Sequence, residues 1–300
     1  MNPPAAGARP GAPDGTALTG YELVRLVSGA WSVRSLAEGE TFHPVVGPCA
    51  EAEALYLRQL RLVDRMRAHR GEFVIWDVGL GSAANPLTVL RATRELATPV
   101  CLVSFDRTLA PLRFGLAHAE RLPYFTGYEA AVRSLCAGRS VQFLNGRQPV
   151  RWKVHVADFP CLLNKPAAEA WPKPHAILYD AFSPARNPEM WTLPLFERLF
   201  RLLEPARPCA LPTYSRSTLL RVTLLLAGFF VGAGQATGEK EETTIAANML
   251  DLIKHPLDRR WLARARRSTS AEPLRTLAYC QTRLGYDTIG RLEQHSQFSQ

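Results

Sequence analysis

From residue 71 onward the chain alternates two kinds of apolar pattern. Short continuous runs predict buried strands: Phe73–Val78 (FVIWDV), Val100–Asp106 (VCLVSFD), and residues 153–156, 175–179, 229–232 and 243–249. Between them, apolar residues recur at helical spacing. The helices so predicted cover residues 108–122 (Leu109, Leu112, Leu116, Ala119), 188–203 (Trp191, Leu195, Leu199, Leu202 on one stripe) and 215–227. Upstream, residues 51–69 read as one amphipathic helix carrying Ala54, Leu55, Leu62 and Met66. Strands that alternate with helices imply an α/β fold with a mostly parallel sheet and helices on both faces. In such a sheet a ligand sits beyond the carboxyl ends of the strands. Asp77, Asp106, Asp158 and Asp180 all fall at or just past those ends.

Composition narrows this only a little. The chain has 300 residues, 47% hydrophobic and 21% charged, which excludes a fibre or a mainly disordered polymer. Its net charge of +9 is compatible with a nucleic-acid partner. Six scattered cysteines form no C-x-x-C pair, so they read as small apolar fillers in a reducing compartment, and no metal site is expected. No apolar stretch is long enough to span a membrane; residues 222–234 come nearest and are too short. The first twenty residues are rich in Pro, Ala and Gly and lack a secretory apolar core, so a cytoplasmic protein is expected. The expected organisation is a disordered leader (1–20), an N-terminal loop and helix cap (21–70), a core (71–250) and a basic tail (251–300). In that tail Arg259, Arg260, Arg264, Arg266 and Arg267 either grip phosphates or form a solvated helix face.

The chemistry gathers at the strand ends. Asp77-Val-Gly79-Leu-Gly81-Ser-Ala83 is a glycine turn between strand and helix, where bare backbone can approach a ligand closely. It fits a dinucleotide fingerprint with Asp106 downstream, and equally a loop for S-adenosylmethionine, in which Asp77 supports the methionine end. Asp106 suits the two hydroxyls of an adenosine ribose, or is simply an acid at a helix N-terminus. Asp158 suits an adenine amine, or is a turn former. Asp180 opens the segment Asp180-Ala-Phe182-Ser-Pro184-Ala-Arg-Asn-Pro-Glu-Met-Trp191. A carboxylate there can orient a substrate amine and take its proton. Phe182 and Trp191 offer faces for a base to stack on, or pack in the core; Pro184 lies between them as a further substrate contact. His43 serves either as part of a lid or to fix its loop, and Glu40 and Glu51 are similar cases.

The segment from Asp180 to Trp191 resembles the D-[GA]-F-[AS]-P-x-x-N-P-x-M-W motif of MnmC-type methyltransferases, which complete 5-methylaminomethyl-2-thiouridine at the tRNA wobble position. The resemblance runs from about residue 38 to 247. It takes in Asp77-x-Gly79-x-Gly81, Tyr214-Ser215 and the G-x-K-x-E hairpin of Gly238, Lys240 and Glu242. It implies a Rossmann-like class I methyltransferase with a seven-stranded sheet and S-adenosyl-L-methionine as cofactor. Asp77, Gly79, Gly81, Asp106 and Asp158 would bind that cofactor. Asp180 would be catalytic, with Phe182, Pro184 and Trp191 meeting the substrate, and tRNA would be the partner. Ala83 stands where the family has a third glycine. Two-domain members carry a flavin module that makes the free amine, for which 300 residues leave no room. A separate enzyme is therefore expected to supply the aminomethyl intermediate. A methyltransferase for another amine, or a nicotinamide-dependent oxidoreductase, is the alternative.

Overall fold

A computed structural model of the chain describes residues 20–237 and 241–299. The leader expected over residues 1–20, apart from Gly20, lies outside the described residues, as do Gly238 and Lys240 of the G-x-K-x-E hairpin. Residues 21–41 form a three-stranded antiparallel meander: β1 (Tyr21–Arg25), β2 (Trp31–Ser35) and β3 (Glu40–Thr41). Leu23 pairs with Val33 in the β1–β2 ladder, and Val33 is buried against the core. The alternation in YELVR and WSVRS carries this signal, where only a loop is expected from the Gly- and Pro-containing stretch around it.

The single helix expected over residues 51–69 is broken. It consists of α1 (Pro48–Ala52), a π-helical turn (Glu53–Arg58) and α2 (Leu62–Ala68), which starts after Arg61 with φ 48°. Ala54, Leu55 and Tyr56 are consecutive and all buried. The wider π turn lets three neighbours face inward over a narrower arc than an α-helix allows.

The centre of the molecule is an eight-stranded sheet. Its strands are β4 (Phe73–Val78), β5 (Val100–Asp106), β6 (Ser140–Asn145), β7 (Gln148–Val156), β8 (Ala176–Tyr179), β9 (Ala210–Thr213), β10 (Phe230–Gly234) and β11 (Thr243–Ala247). They lie in the order β10-β11-β9-β8-β4-β5-β7-β6. Strands β7, β5, β4, β8 and β9 pair in parallel, whereas β6 and β11 run antiparallel to their neighbours. This is the Rossmann-like methyltransferase sheet with one strand beyond the expected seven. The extra strand is β6, joined to β7 by a two-residue turn at Gly146-Arg147, with Gly146 at φ 61°. A glycine at the first central position is what a type II′ hairpin requires. The alternating burial of both strands marks an edge hairpin, which a search for continuous apolar runs passes over.

Helices cover both faces. On one side lie α3 (Ala84–Thr93), α4 (Ala110–Ala117) and α5 (Glu129–Gly138), packed on Phe73, Ile75 and Leu102. On the other lie α6 (Phe159–Leu163), α7 (Leu193–Leu202) and α8 (Thr218–Leu226), packed on Trp76, Val78 and Tyr179. The segment after residue 251 is no loose tail. Its helices α9 (Arg259–Ala265) and α10 (Tyr286–Glu293) bury Trp261, Leu262 and Leu292 in the second of these cores. Gln297 bonds both backbone groups of Val231, which fixes the end of the chain along the sheet edge. Arg266 pairs with Glu293, and the arginines of α9 are exposed. Among the described residues, no helix is long and apolar enough to cross a membrane.

Candidate active site

Strand β4 lies between β5 and β8, where the chain order of the parallel strands reverses. Loops leaving the carboxyl ends diverge at such a point and open a crevice. A cavity of about 580 Å³ occupies it, within the usual range for a small-molecule site.

The glycine turn forms its floor. Gly79 (φ 91°) lies against the backbone of Asp180 so closely that a Cβ would overlap the Asp180 carbonyl oxygen. Gly81 (φ 51°) lies under the ring of Phe42, 3.2 Å from where a Cβ would stand. Ala83 also takes a left-handed conformation (φ 64°), one that favours glycine.

On the β5–β7 side, Asp106 and Asp158 both reach the cavity wall. Asp106 Oδ2 accepts the Gly81 amide at 2.9 Å and Oδ1 the Thr108 amide at 3.2 Å, so its carboxylate is fixed at the lip of the turn. Asp158 caps α6, its Oδ1 accepting the Cys161 amide at 3.0 Å. Asp77 is placed differently from the expectation that it meets a ligand. It is fully buried below the turn and is not on the cavity wall. Its Oδ2 accepts from Ser104 Oγ at 2.7 Å, and Ser104 Oγ in turn accepts from Trp152 Nε1 at 2.9 Å. Oδ1 has no hydrogen-bond partner among the described residues. Burial, only partly offset by the Ser104 bond, pushes the Asp77 carboxyl up to about 8.

On the β8 side the wall is polar and converges on Asp180. Asn85, in the first turn of α3, donates through Nδ2 to Asp180 Oδ2 at 2.7 Å, while its own Oδ1 is buried with no hydrogen-bond partner among the described residues. His43 Nε2 lies 3.5 Å from Asp180 Oδ2, and His43 Nδ1 lies 3.8 Å from Glu51 Oε1. Burial opposes protonation of His43, but Asp180 and Glu51 together outweigh it and raise its pKa to about 9. Asn85 carried no signal in the sequence. His43 and Glu51 are candidates in the sequence, but only the fold shows that they meet.

The segment following Asp180 is held by its own motif residues. Trp191 Nε1 donates to the Phe182 carbonyl at 2.7 Å, and Tyr179 hydroxyl donates to the Met190 carbonyl. Tyr214 hydroxyl donates to the Ala181 carbonyl at 3.1 Å, and Glu40 accepts from the amide and hydroxyl of Ser183. Trp191 is therefore a core residue, with no accessible face for a base to stack on. Pro184 is half-buried and also off the cavity wall. Phe182 does line the cavity, its ring centre 5.6 Å from that of Phe42, which in turn is 6.5 Å from Tyr21. The tryptophan, glutamate and tyrosines shape the loop that presents Asp180 and Phe182.

The site suits S-adenosylmethionine. It offers a fixed carboxylate for a diol, an acid beside it, glycine floor positions with little or no room for side chains, and a buried Asn85 Oδ1 with no partner among the described residues. Comparison with known proteins agrees. Residues 136–249 match the model of a family described as S-adenosyl-L-methionine-dependent methyltransferase. Over 215 residues the chain is 30% identical to the tRNA 5-methylaminomethyl-2-thiouridine biosynthesis bifunctional protein MnmC of Methylibium petroleiphilum, spanning 69% of this chain and 32% of that protein. The protein of the same name from Ectopseudomonas mendocina is 28% identical over 240 residues, 77% of this chain and 35% of its own length. The chain thus spans about a third of the length of the curated relatives it matches. The crystal structure of MNMC2 from Aquifex aeolicus shares the fold, with a TM-score of 0.68 at 21% identity over 92% of this chain and 83% of that one. These findings support S-adenosylmethionine as the cofactor over a dinucleotide.

Proposed function

From the premise that the chain is an S-adenosyl-L-methionine-dependent methyltransferase related to MnmC, we propose that it methylates the primary amine of an aminomethyl group on a wobble uridine of tRNA. The observation that supports this most is the Asp180 carboxylate, held by Asn85 at the cavity wall across β4 from Asp106. The relatives named for 5-methylaminomethyl-2-thiouridine biosynthesis supply the substrate class. With tRNA as substrate, the protein works in the cytoplasm, and an earlier reaction must leave the aminomethyl group free.

In this reading Asp106 accepts the ribose hydroxyls of the cofactor, Asp158 faces its adenine, and Gly79 and Gly81 keep the floor low beneath it. Bound there, S-adenosylmethionine supplies an electrophilic methyl group on a sulfonium. An alkyl ammonium has no lone pair, so it must lose a proton before its nitrogen can be methylated. Asp180 accepts a hydrogen bond from the docked ammonium and takes that proton. Phe182 and Phe42 present apolar faces at the opening, suited to the uracil ring. Holding the amine in line contributes more than the proton transfer, because positioning alone removes several kcal/mol of barrier in such reactions, roughly 7 or more at best.

The test is transfer of labelled methyl to tRNA carrying an aminomethylated wobble uridine, beside the same tRNA without that group. Label on the first alone supports the reading. Label on neither, with cofactor binding intact, overturns the tRNA assignment and leaves a methyltransferase for another substrate.

A further inference from the structure

Arg259, Arg260 and Arg264 of α9, with Arg266 and Arg267 in the turn that closes it, are all exposed, while Trp261, Leu262 and Ala265 are buried. The Arg267 amide still donates to the Arg264 carbonyl at 3.0 Å, so helical geometry reaches that far. Arg260, Arg264 and Arg267 recur at helical spacing and share one face. Among the described residues, Arg266 alone of the five has an acid partner, Glu293. A solvated helix face usually mixes signs, and like charges four apart oppose the helix that carries them. This basic face stands at the cavity end of the sheet. Arg221 of α8 donates to the Thr244 hydroxyl and the Thr243 carbonyl, and Thr244 pairs with Thr213 at the carboxyl end of β9. Tyr214, next in the chain, lines the cavity. Burial lowers the pKa of Arg221, Glu242 raises it, and Arg264 and exposed Arg216 lower it again, so both stand within electrostatic reach of this point. Past α9 the chain crosses to the end of the Asp180–Trp191 motif. The Leu193 amide donates to the Leu274 carbonyl at 2.7 Å, and Thr192 bridges Leu274. We propose that the basic face of α9, together with Arg216, is a docking surface for the phosphate backbone of the RNA strand whose base enters the cavity. This rests on the tRNA reading above and deepens it. A base held in the cavity leaves its flanking phosphodiesters outside the mouth, and the planar guanidinium matches phosphate geometry. An anionic membrane is the poorer occupant, because the exposed positions of α9 are arginines and Ala263, with no large apolar side chain to insert.

The test compares three full chains: the wild type, the triple variant Arg260→Gln, Arg264→Gln, Arg267→Gln, and a control of equal net charge. The control carries Arg133→Gln, Arg139→Asn and Arg147→Gln, exposed positions around the β6 edge of the sheet. Asparagine suits the left-handed backbone of residue 139 (φ 61°). Binding of an unmodified tRNA transcript is measured across a salt series. The triple variant should bind roughly 10- to 100-fold more weakly near 0.1 M salt, and its salt slope should fall by about 2–3. The control should stay within roughly threefold of the wild type. S-adenosylmethionine affinity should be the same in all three. In methyl transfer to aminomethylated tRNA the triple variant should raise KM and keep kcat, as lost ground-state binding does. A triple variant that binds tRNA as tightly as the control overturns the surface. So does one that loses binding to phosphatidylglycerol vesicles but keeps tRNA, or a wild type that binds no tRNA. The two readings fail separately. Binding that depends on α9 without methyl transfer sinks the substrate assignment and leaves the surface standing. Transfer with one KM for all three chains does the reverse.

Discussion

The two sides of the cavity are built in different ways. The β5–β7 side is local: Asp106 and Asp158 each end or follow one strand, and each carboxylate is fixed by amides within its own loop or the neighbouring turn. The β8 side is assembled from His43, Glu51, Asn85 and Asp180, which come from four separate elements. Backbone amides present a ligand contact at little cost, since a turn fixes them anyway. Bringing these buried polar groups together needs support from the whole fold, here the N-terminal meander, α1, α3 and the motif loop. The first construction suits holding a cofactor, and the second suits adjusting the protonation of a substrate.

Substitutions can break or sharpen that division. The largest effect is expected from Asp180→Asn, which keeps the Asn85 contact but cannot take a proton. Its turnover should fall by roughly 10²- to 10⁴-fold in single-turnover methyl transfer. Next comes Gly79→Ala at the joint between the two sides. The left-handed backbone and the Asp180 carbonyl both oppose a Cβ. The cost should be roughly 2–4 kcal/mol of stability, read by denaturant unfolding, with cofactor affinity and rate falling together. Asp106→Ala should weaken cofactor binding by roughly 10- to 100-fold in calorimetry through lost charged hydrogen bonds.

The smallest effect is on stability. Asp77 has a folded pKa of about 8, raised by burial from the ordinary carboxylate range. The folded state holds a proton that the unfolded chain releases near pH 4, so this group's contribution to stability falls as pH rises from about 4 to 8. Asp77→Asn should remove that decline, raising Tm by roughly 2–4 °C at pH 8 and less at pH 5. His43 acts at higher pH with the same slope. Its folded pKa of about 9 means that its contribution is full below pH 6.5 and lost as pH rises through 9.

Much of this architecture is legible in the sequence. The parallel strands show as continuous apolar runs because they are buried on both faces, and the aspartates that follow them are placed by the strand ends. The glycine turn and the Asp180–Trp191 motif are local, so they too can be read directly. The β6–β7 hairpin escapes because an edge pair alternates in burial. The break at Arg61 escapes because helical periodicity across residues 51–69 is retained on either side of it. Trp191 illustrates a different limit: a motif residue can serve by holding a loop from inside the core, and sequence does not separate that from a surface contact. The cluster of His43, Glu51 and Asp180 is invisible for a simpler reason. Its members are up to 137 residues apart along the chain and meet only when β3, α1 and β8 have packed.

The division of labour between the two sides is tested most directly by crossing two variants with two readouts. Calorimetric affinity for S-adenosylmethionine and the saturating rate of methyl transfer would be measured for both Asp106→Ala and Asp180→Asn. Asp106→Ala is expected to lose affinity but keep most of its saturating rate, while Asp180→Asn keeps affinity and loses rate. If Asp180→Asn weakens cofactor binding as much as Asp106→Ala while its saturating rate survives, Asp180 belongs to the cofactor site and the account is wrong.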